Sequence, residues 1–457
     1  MNSKLWNNIL EFDLDKPISE YGFSTRLANE NYWTKNFTAT AIAEYKKFMY
    51  LAAMSDFMVS PSAIVDTVWH QHLIFTQSYN EFGNVIEKQI QHIPSTHNRN
   101  DFVKFKQAKE RTKKLYNEVF GEQPKEIWEY TDMYDCLELP KAKLKIRAFV
   151  LIGILSFAIL LVPGYFLLKP IYIQIDNPYF IVGFITLSIL TFYTLEIFNR
   201  NYLLKTLNQF QSFSFINKLS PLELVYLKTQ KLSNVINGTI NQQIDEHIIR
   251  VNSNYTIEHT KNLHSNTIEE HQVLDTLHHL GKTNYSTLLS QLLTKPIFRN
   301  VANCMDALKK YHTKSKSFGR LFYINFAILA FVLLTGTIRL FTGLIRDKPV
   351  LQIAILLLIL VACIAGYLWR LTTLFCTSTI PNFYKKEVLS NKDWEDNFQW
   401  KYFLLGTAAL ATSFIPLVNH QDRSNNNSGD TGTSSSGSSC GSSCGSSCSS
   451  CGGCGGD

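Results

Sequence analysis

Four strongly apolar stretches of the chain run for eighteen residues or more without a charge: 148–168, 178–195, 321–338 and 349–369. A helix needs about 20 mostly apolar residues to cross a hydrocarbon core of about 30 Å. The pattern predicts two membrane hairpins, with spans at 148–168, 178–198, 321–343 and 349–371. A fifth window, 402–418, is also uncharged but softer, with Gly406, Thr407, Thr412, Ser413 and Pro416. Trp394, Trp400 and Tyr402 stand where an interfacial aromatic belt would, so this window predicts a fifth span.

Between these windows the apolar period changes. In 37–57, Ala41, Tyr45, Phe48, Met49 and Ala52 recur at near-helical spacing. A second helix starts with Ser60 as cap and Pro61 at the first helical position, and runs to Phe82. In 199–320, Ser220-Pro221-Leu222-Glu223 forms a capping box, followed by apolar positions at Leu224, Leu227, Val235, Ile236, Ile240 and Ile244. Residues 247–251 and 255–259 read as two short strands around a polar turn. Thr267 and Glu270 open a further helix that Gly281 stops. The expected fold is mainly α. A soluble helical domain (1–140) precedes a multi-pass membrane region with a cytoplasmic winged-helix-like insert (199–320), and a Ser/Gly/Cys tail (419–457) is too polar to pack.

Composition sharpens this reading. Only 18% of residues are charged, against about 25% in an ordinary soluble protein. A soluble globular enzyme is therefore excluded for the chain as a whole. The net charge of +7 is largely membrane-flanking. Lys141, Lys143, Lys145 and Arg147 precede the first span, Arg200 and Lys205 follow the second, and Arg320 precedes the third. The turns within the hairpins carry only Lys169, and Arg346 with Lys348. The positive-inside rule then places the N-terminus and the insert in the cytoplasm, and five spans place the tail outside an inner (plasma) membrane. The first sixteen residues lack an apolar core, so no cleavable signal peptide is expected. The hairpin of the insert carries one base, Arg250, so the expected partners are the lipid bilayer and other proteins, not nucleic acid.

The candidate chemistry is concentrated in one segment. Asp66 and His70 are four apart and share a helix face, whereas His72 lies about 200° around from His70 at 3.6 residues per turn. His92 and His97 follow in a loop. One reading packs His72 and Trp69 in the core and pairs Asp66 with His70. The other makes Asp66, His70, His72 and His92 a metal or catalytic site, with zinc as the metal that imidazole suits. Seven histidines lie in the insert, among them His264, His271, His278 and His312, and read as exposed polar positions.

Asp66-Thr67-Val68-Trp69-His70-Gln71-His72, followed by Thr76, Tyr79, Phe82 and then His92 before Pro94, resembles the glycine-rich domain-containing protein-like family of plants and bacteria over about residues 30–120. Gly83 follows Phe82 where bacterial members often carry Cys, and Gln91 stands beside His92 where they carry a second His. The resemblance implies a domain and no defined activity. Leu219, Pro221, Glu223, Tyr226 and Leu227 resemble the L-x-P-x-E-x-A-Y-L segment of a bacterial membrane-protein family that ends in a Gly/Cys-rich tail. Here Cys440, Cys444, Cys448, Cys451 and Cys454 recur at intervals of 4, 4, 3 and 3. Such thiols could bind a soft metal, cross-link a partner or receive a modification. The expectation is thus a non-enzymatic envelope protein with cytoplasmic interaction domains and a displayed tail. The alternative is a membrane-tethered metal-dependent enzyme that uses the Asp/His cluster.

Overall fold

The computed structural model describes residues 2–93, 99–260, 265–390 and 392–427. His97, His264 and the five tail cysteines lie outside the described residues.

The N-terminal helices are α1 (Ser3–Glu11), α2 (Phe23–Asn31), α3 (Lys35–Met54), α4 (Ala63–Ile74), α5 (Thr76–Val85), α6 (Arg99–Phe120) and α7 (Lys125–Trp128). Thr34 caps α3 by accepting from Phe37 N, and α3 buries Ala41, Tyr45, Phe48 and Met49, as their spacing predicts. Its Glu44 is buried as well. The carboxylate accepts from Tyr116 Oη (2.7 Å), Trp128 Nε1 (2.8 Å) and Lys47 Nζ (2.7 Å), which ties α3 to α6 and α7. The helix expected from Ser60 to Phe82 is corrected in two places. Ser62, not Ser60, caps α4, while Ser60 N donates to Thr112 Oγ1 on α6 (2.8 Å). Phe75 (ψ 63°) leaves the helical region and separates α4 from α5.

The chain then forms α8 (Ile146–Tyr172) and α9 (Asn177–Asn208), followed by the insert. In the insert, α10 (Pro221–Thr229) carries the predicted capping box, with Ser220 N donating to Glu223 Oε2 (2.7 Å) and Glu223 N to Ser220 Oγ (3.4 Å). After α11 (Leu232–Asp245) come β1 (Ile249–Val251) and β2 (Thr256–His259), the predicted hairpin. The capped α12 (Ile268–Leu280) leads to β3 (Thr283–Asn284), an antiparallel neighbour of β2 that makes the sheet order β1-β2-β3. Helices α13 (Tyr285–Leu292) and α14 (Pro296–Thr313) close the insert. The chain continues as α15 (Lys316–Ile345) and α16 (Leu351–Leu374), then through a π-helical turn (Phe375–Thr379) into α17 (Ile380–Ser390).

Among the described residues, four helices are long and apolar enough to cross a membrane: α8, α9, α15 and the continuous Leu351–Ser390. They interlock through small and polar positions. A Cβ at Gly336 of α15 would lie 2.5 Å from the Phe184 ring on α9 and 2.7 Å from the Leu357 side chain on α16, so glycine leaves room for both neighbours. Asn199 on α9 and Asn325 on α15 exchange amide hydrogen bonds (2.9 and 2.7 Å), and Asn199 also donates to Tyr367 Oη on α16 (2.8 Å).

The expected fifth span does not form. Residues 402–418 contain the end of α18 (Phe398–Leu405), a 3₁₀ turn at Gly406–Ala409 and the start of α19 (Ile415–Asn427). Gly406 has φ +62°, where glycine carries no steric penalty, and it stops the helix. The apolar side chains of the window are covered by the insert. Tyr402 Oη donates to Asn234 O (3.0 Å), Ala411 N donates to Asn241 Oδ1 (2.7 Å), and Phe403, Phe414 and Val418 are buried.

The N-terminal domain and the insert, expected as separate blocks, share one core with this C-terminal segment. Tyr134 Oη donates to Cys304 O (3.1 Å), Lys218 pairs with Glu126 (2.7 Å), and Tyr384 Oη accepts from Leu219 N (2.8 Å) while donating to Ile216 O (2.7 Å). The insert histidines are also not all exposed: His259 and His271 are half-buried, and His312 is buried. His312 is fully buried, stacked on Phe375 of the π-turn at 4.1 Å and edge-on to Phe318. Burial pushes its pKa down to about 3.

Candidate metal centre

The cluster begins with a cap. Ser62 starts α4 so that Asp66 falls in the first turn and His70 one turn later on the same face. His70 Nε2 lies 3.5 Å from Asp66 Oδ2. His92 arrives from the segment that follows α5, and two side chains pin that segment. Tyr79 Oη donates to Ile90 O (2.5 Å), and Lys88 Nζ donates to the carbonyls of Ala52, Ala53 and Ser55 (2.9–3.2 Å). Trp69 Nε1 donates to Tyr79 Oη (3.1 Å) and holds it in place, while the Trp69 ring meets His92 edge-on at 4.6 Å. His92 Nε2 then reaches Asp66 Oδ1 at 3.0 Å, with the His70 and His92 rings 4.4 Å apart.

One ligand atom from each of Asp66, His70 and His92 lies within 4.8 Å of the others. Tetrahedral zinc with bonds of about 2.0–2.1 Å separates its donor atoms by about 3.4 Å. His92 Nε2 lies 3.0 Å from Oδ1 and His70 Nε2 3.5 Å from Oδ2 of the one carboxylate, each close to that separation. Two imidazoles and a carboxylate are a zinc-type donor set that keeps a position open for water or a ligand. Beside Asp66 and His92 lies a cleft of about 390 Å³ bounded by Trp69, Phe57 and Met58.

His72 is not part of this group. It is fully buried, with Nδ1 against Tyr45 Oη (2.8 Å) and Nε2 against Ser78 Oγ (3.2 Å). The rings of Phe23, Tyr79 and Phe82 surround it, and burial pushes its pKa down to about 4. Three of the four candidates thus come together, and the fourth is a core histidine, as its helix face predicts. Sequence reading missed the devices that position His92, namely Tyr79 on Ile90 O and Lys88 on the end of α3. Neither has a local signal, because each joins positions that only the fold brings near.

No family model, curated protein or solved structure matches the chain. The fold and this cluster define it as a mainly α protein with four apolar helices of membrane-spanning length and an Asp/His group on its helical body.

Proposed function

We propose that the protein is a membrane-anchored metal-binding protein in which Asp66, His70 and His92 hold one zinc ion. The observation that carries this reading is the convergence of three ligand atoms from α4 and a pinned segment beside a cleft. A bound zinc ion would act as a Lewis acid and activate a water. Asp66 and His70 supply donors fixed by one helix, and Trp69 holds the His92 ring against them.

The body lies on the cytoplasmic face of the plasma membrane, a placement supported by the Lys and Arg residues that flank its end of the spans. Four spans return the chain to that same face, so the tail cysteines are cytoplasmic thiols in this reading and not displayed disulfides. The test is elemental analysis of the full-length protein purified in detergent without added chelator. One zinc per chain is expected. It should be lost in His70→Ala and in His92→Ala, with unchanged far-ultraviolet circular dichroism. A metal-free wild type, or zinc that persists in both variants and disappears on removal of residues 428–457, would overturn the assignment.

A further inference from the structure

Where the helical body meets the membrane-spanning helices, residues 138–140 ahead of α8, the end of α9 and the start of α15 enclose a further cavity of about 390 Å³. Its size falls within the roughly 300–1,000 Å³ range of small-molecule sites. Hydroxyl groups in its lining lock α9 to α15. Tyr202 Oη donates to Ser317 O (3.2 Å), and Ser317 Oγ donates to Tyr202 Oη (3.3 Å). Thr206 Oγ1 donates to Tyr202 O (3.0 Å) and lies 3.4 Å from Ser317 Oγ. The third segment is tied to the same helix start, because Lys316 N donates to Pro140 O (2.7 Å) and Ala142 N to Lys314 O (2.9 Å). The mouth of the cavity is therefore built from three segments held in fixed register.

Lys205 of α9 and Lys316 and Arg320 of α15 line this cavity, and all three side chains are exposed. Lys316 and Arg320 are four apart and share a helix face. Among the described residues, none of the three cations is engaged in an ion pair. Glu138 is the one carboxylate of the described lining, and it accepts from Tyr130 Oη (2.9 Å). Three cations against one carboxylate leave a positive surplus at the mouth. The depth of the cavity is that of lipid headgroups. The charge-free run of α15 begins at Leu321, so Arg320 stands at its edge and Ser317 lies about 6 Å beyond at 1.5 Å per residue. The polar layer on each side of a hydrocarbon core is about 5–8 Å thick. On the membrane side of the cavity, Phe198 packs against Tyr202 (5.9 Å between ring centres) and is 39% exposed. Basic pockets between membrane-spanning helices recognise acidic headgroups. We infer that this cavity binds the headgroup of an acidic phospholipid of the phosphatidylglycerol type. Its phosphodiester sits among Lys205, Lys316 and Arg320, and its acyl chains run past Phe198. A phosphatidylcholine headgroup has no net charge and offsets none of the surplus.

The test is native mass spectrometry of the full-length protein in detergent, titrated with dioleoyl phosphatidylglycerol or dioleoyl phosphatidylcholine. The first phosphatidylglycerol should bind at least about tenfold more tightly than phosphatidylcholine. In Lys205→Gln/Arg320→Gln that adduct should weaken roughly 30-fold, because each basic residue near a membrane surface contributes about fivefold. Lys385→Gln/Lys386→Gln removes the same charge from α17, outside the cavity, and should leave the adduct unchanged. All four side chains are exposed, so neither double variant disturbs the core. Equal binding of the two lipids, or equal weakening in the two double variants, would reduce the effect to general surface electrostatics and overturn the proposal. So would displacement of the lipid by glycerol 3-phosphate as effectively as by phosphatidylglycerol, which would assign the cavity to a soluble phosphate ester.

Discussion

Replacing His312 with Phe should remove a measurable part of the protein's acid sensitivity. The imidazole is 1% exposed, its Nε2 has no hydrogen-bond partner, and Phe375 stacks on it at 4.1 Å. Burial favours the neutral form and lowers the pKa from the ordinary value of 6.5 to about 3. Because the folded pKa is depressed, the unfolded chain binds the proton first as pH falls. The contribution of His312 to stability is therefore complete above about pH 6.5, and is lost at about 1.4 kcal/mol per pH unit between there and about pH 3. At pH 5 the loss is about 2 kcal/mol relative to pH 8. Phe preserves the stack and removes both the titration and the unpaired nitrogen. The assay is the thermal midpoint of the full-length protein in one detergent, by near-ultraviolet circular dichroism, at pH 8 and pH 5. The other histidines contribute equally to both proteins and cancel in the difference. The wild type should lose about 2 kcal/mol more than His312→Phe over this interval, a shift of several degrees. Equal losses would refute the burial argument, and so would a variant that melts well below the wild type at both pH values.

Three other substitutions probe the rest of the account. Glu44→Ala strands the Tyr116 hydroxyl and the Trp128 indole N–H, and should cost about 2–6 kcal/mol at roughly 1–3 kcal/mol per orphaned group, read as a fall in the thermal midpoint of the full-length protein. With zinc stripped by chelator beforehand, so that metal binding adds nothing to either midpoint, His72→Ala should destabilise by at least about 1–3 kcal/mol, because it unpairs Tyr45 and opens a core cavity, whereas the exposed His70→Ala should leave the midpoint unchanged; equal midpoints would contradict the assigned faces. Asn325→Leu removes the link between α9 and α15 and should weaken the helix bundle by about 0.6–2 kcal/mol in a steric-trap unfolding measurement, with full retention of stability as the contrary result.

Features governed by local physics were legible in the chain itself. The charge-free windows became the four long apolar helices, because hydrocarbon length and charge are properties of a continuous segment. The Ser220–Glu223 box and the hairpin after α11 formed as expected, since each depends on residues close in sequence. The i, i+4 pairing of Asp66 with His70, and the turn of His72 toward the core, also followed from helix geometry alone. What composition could not distinguish was an apolar segment buried in protein from one buried in lipid. Residues 402–418 have the same uncharged character in either setting, and only Asn234 and Asn241, some 170 positions earlier, reveal which one applies. The burial of His312 was hidden in the same way, because Phe375 comes from the far side of two spans. The shared core of the N-terminal domain and the insert likewise rests on pairs such as Tyr134 with Cys304, for which the linear pattern has no signal.

The central claim is that a metal sits on Asp66, His70 and His92, and zinc K-edge X-ray absorption spectroscopy of the full-length protein loaded with one equivalent of zinc tests it most directly. The account predicts a first shell of nitrogen and oxygen at about 2.0–2.1 Å, with outer-shell scattering from two imidazole rings. A sulfur shell at about 2.3 Å would place the metal on cysteine thiols instead and contradict the assignment.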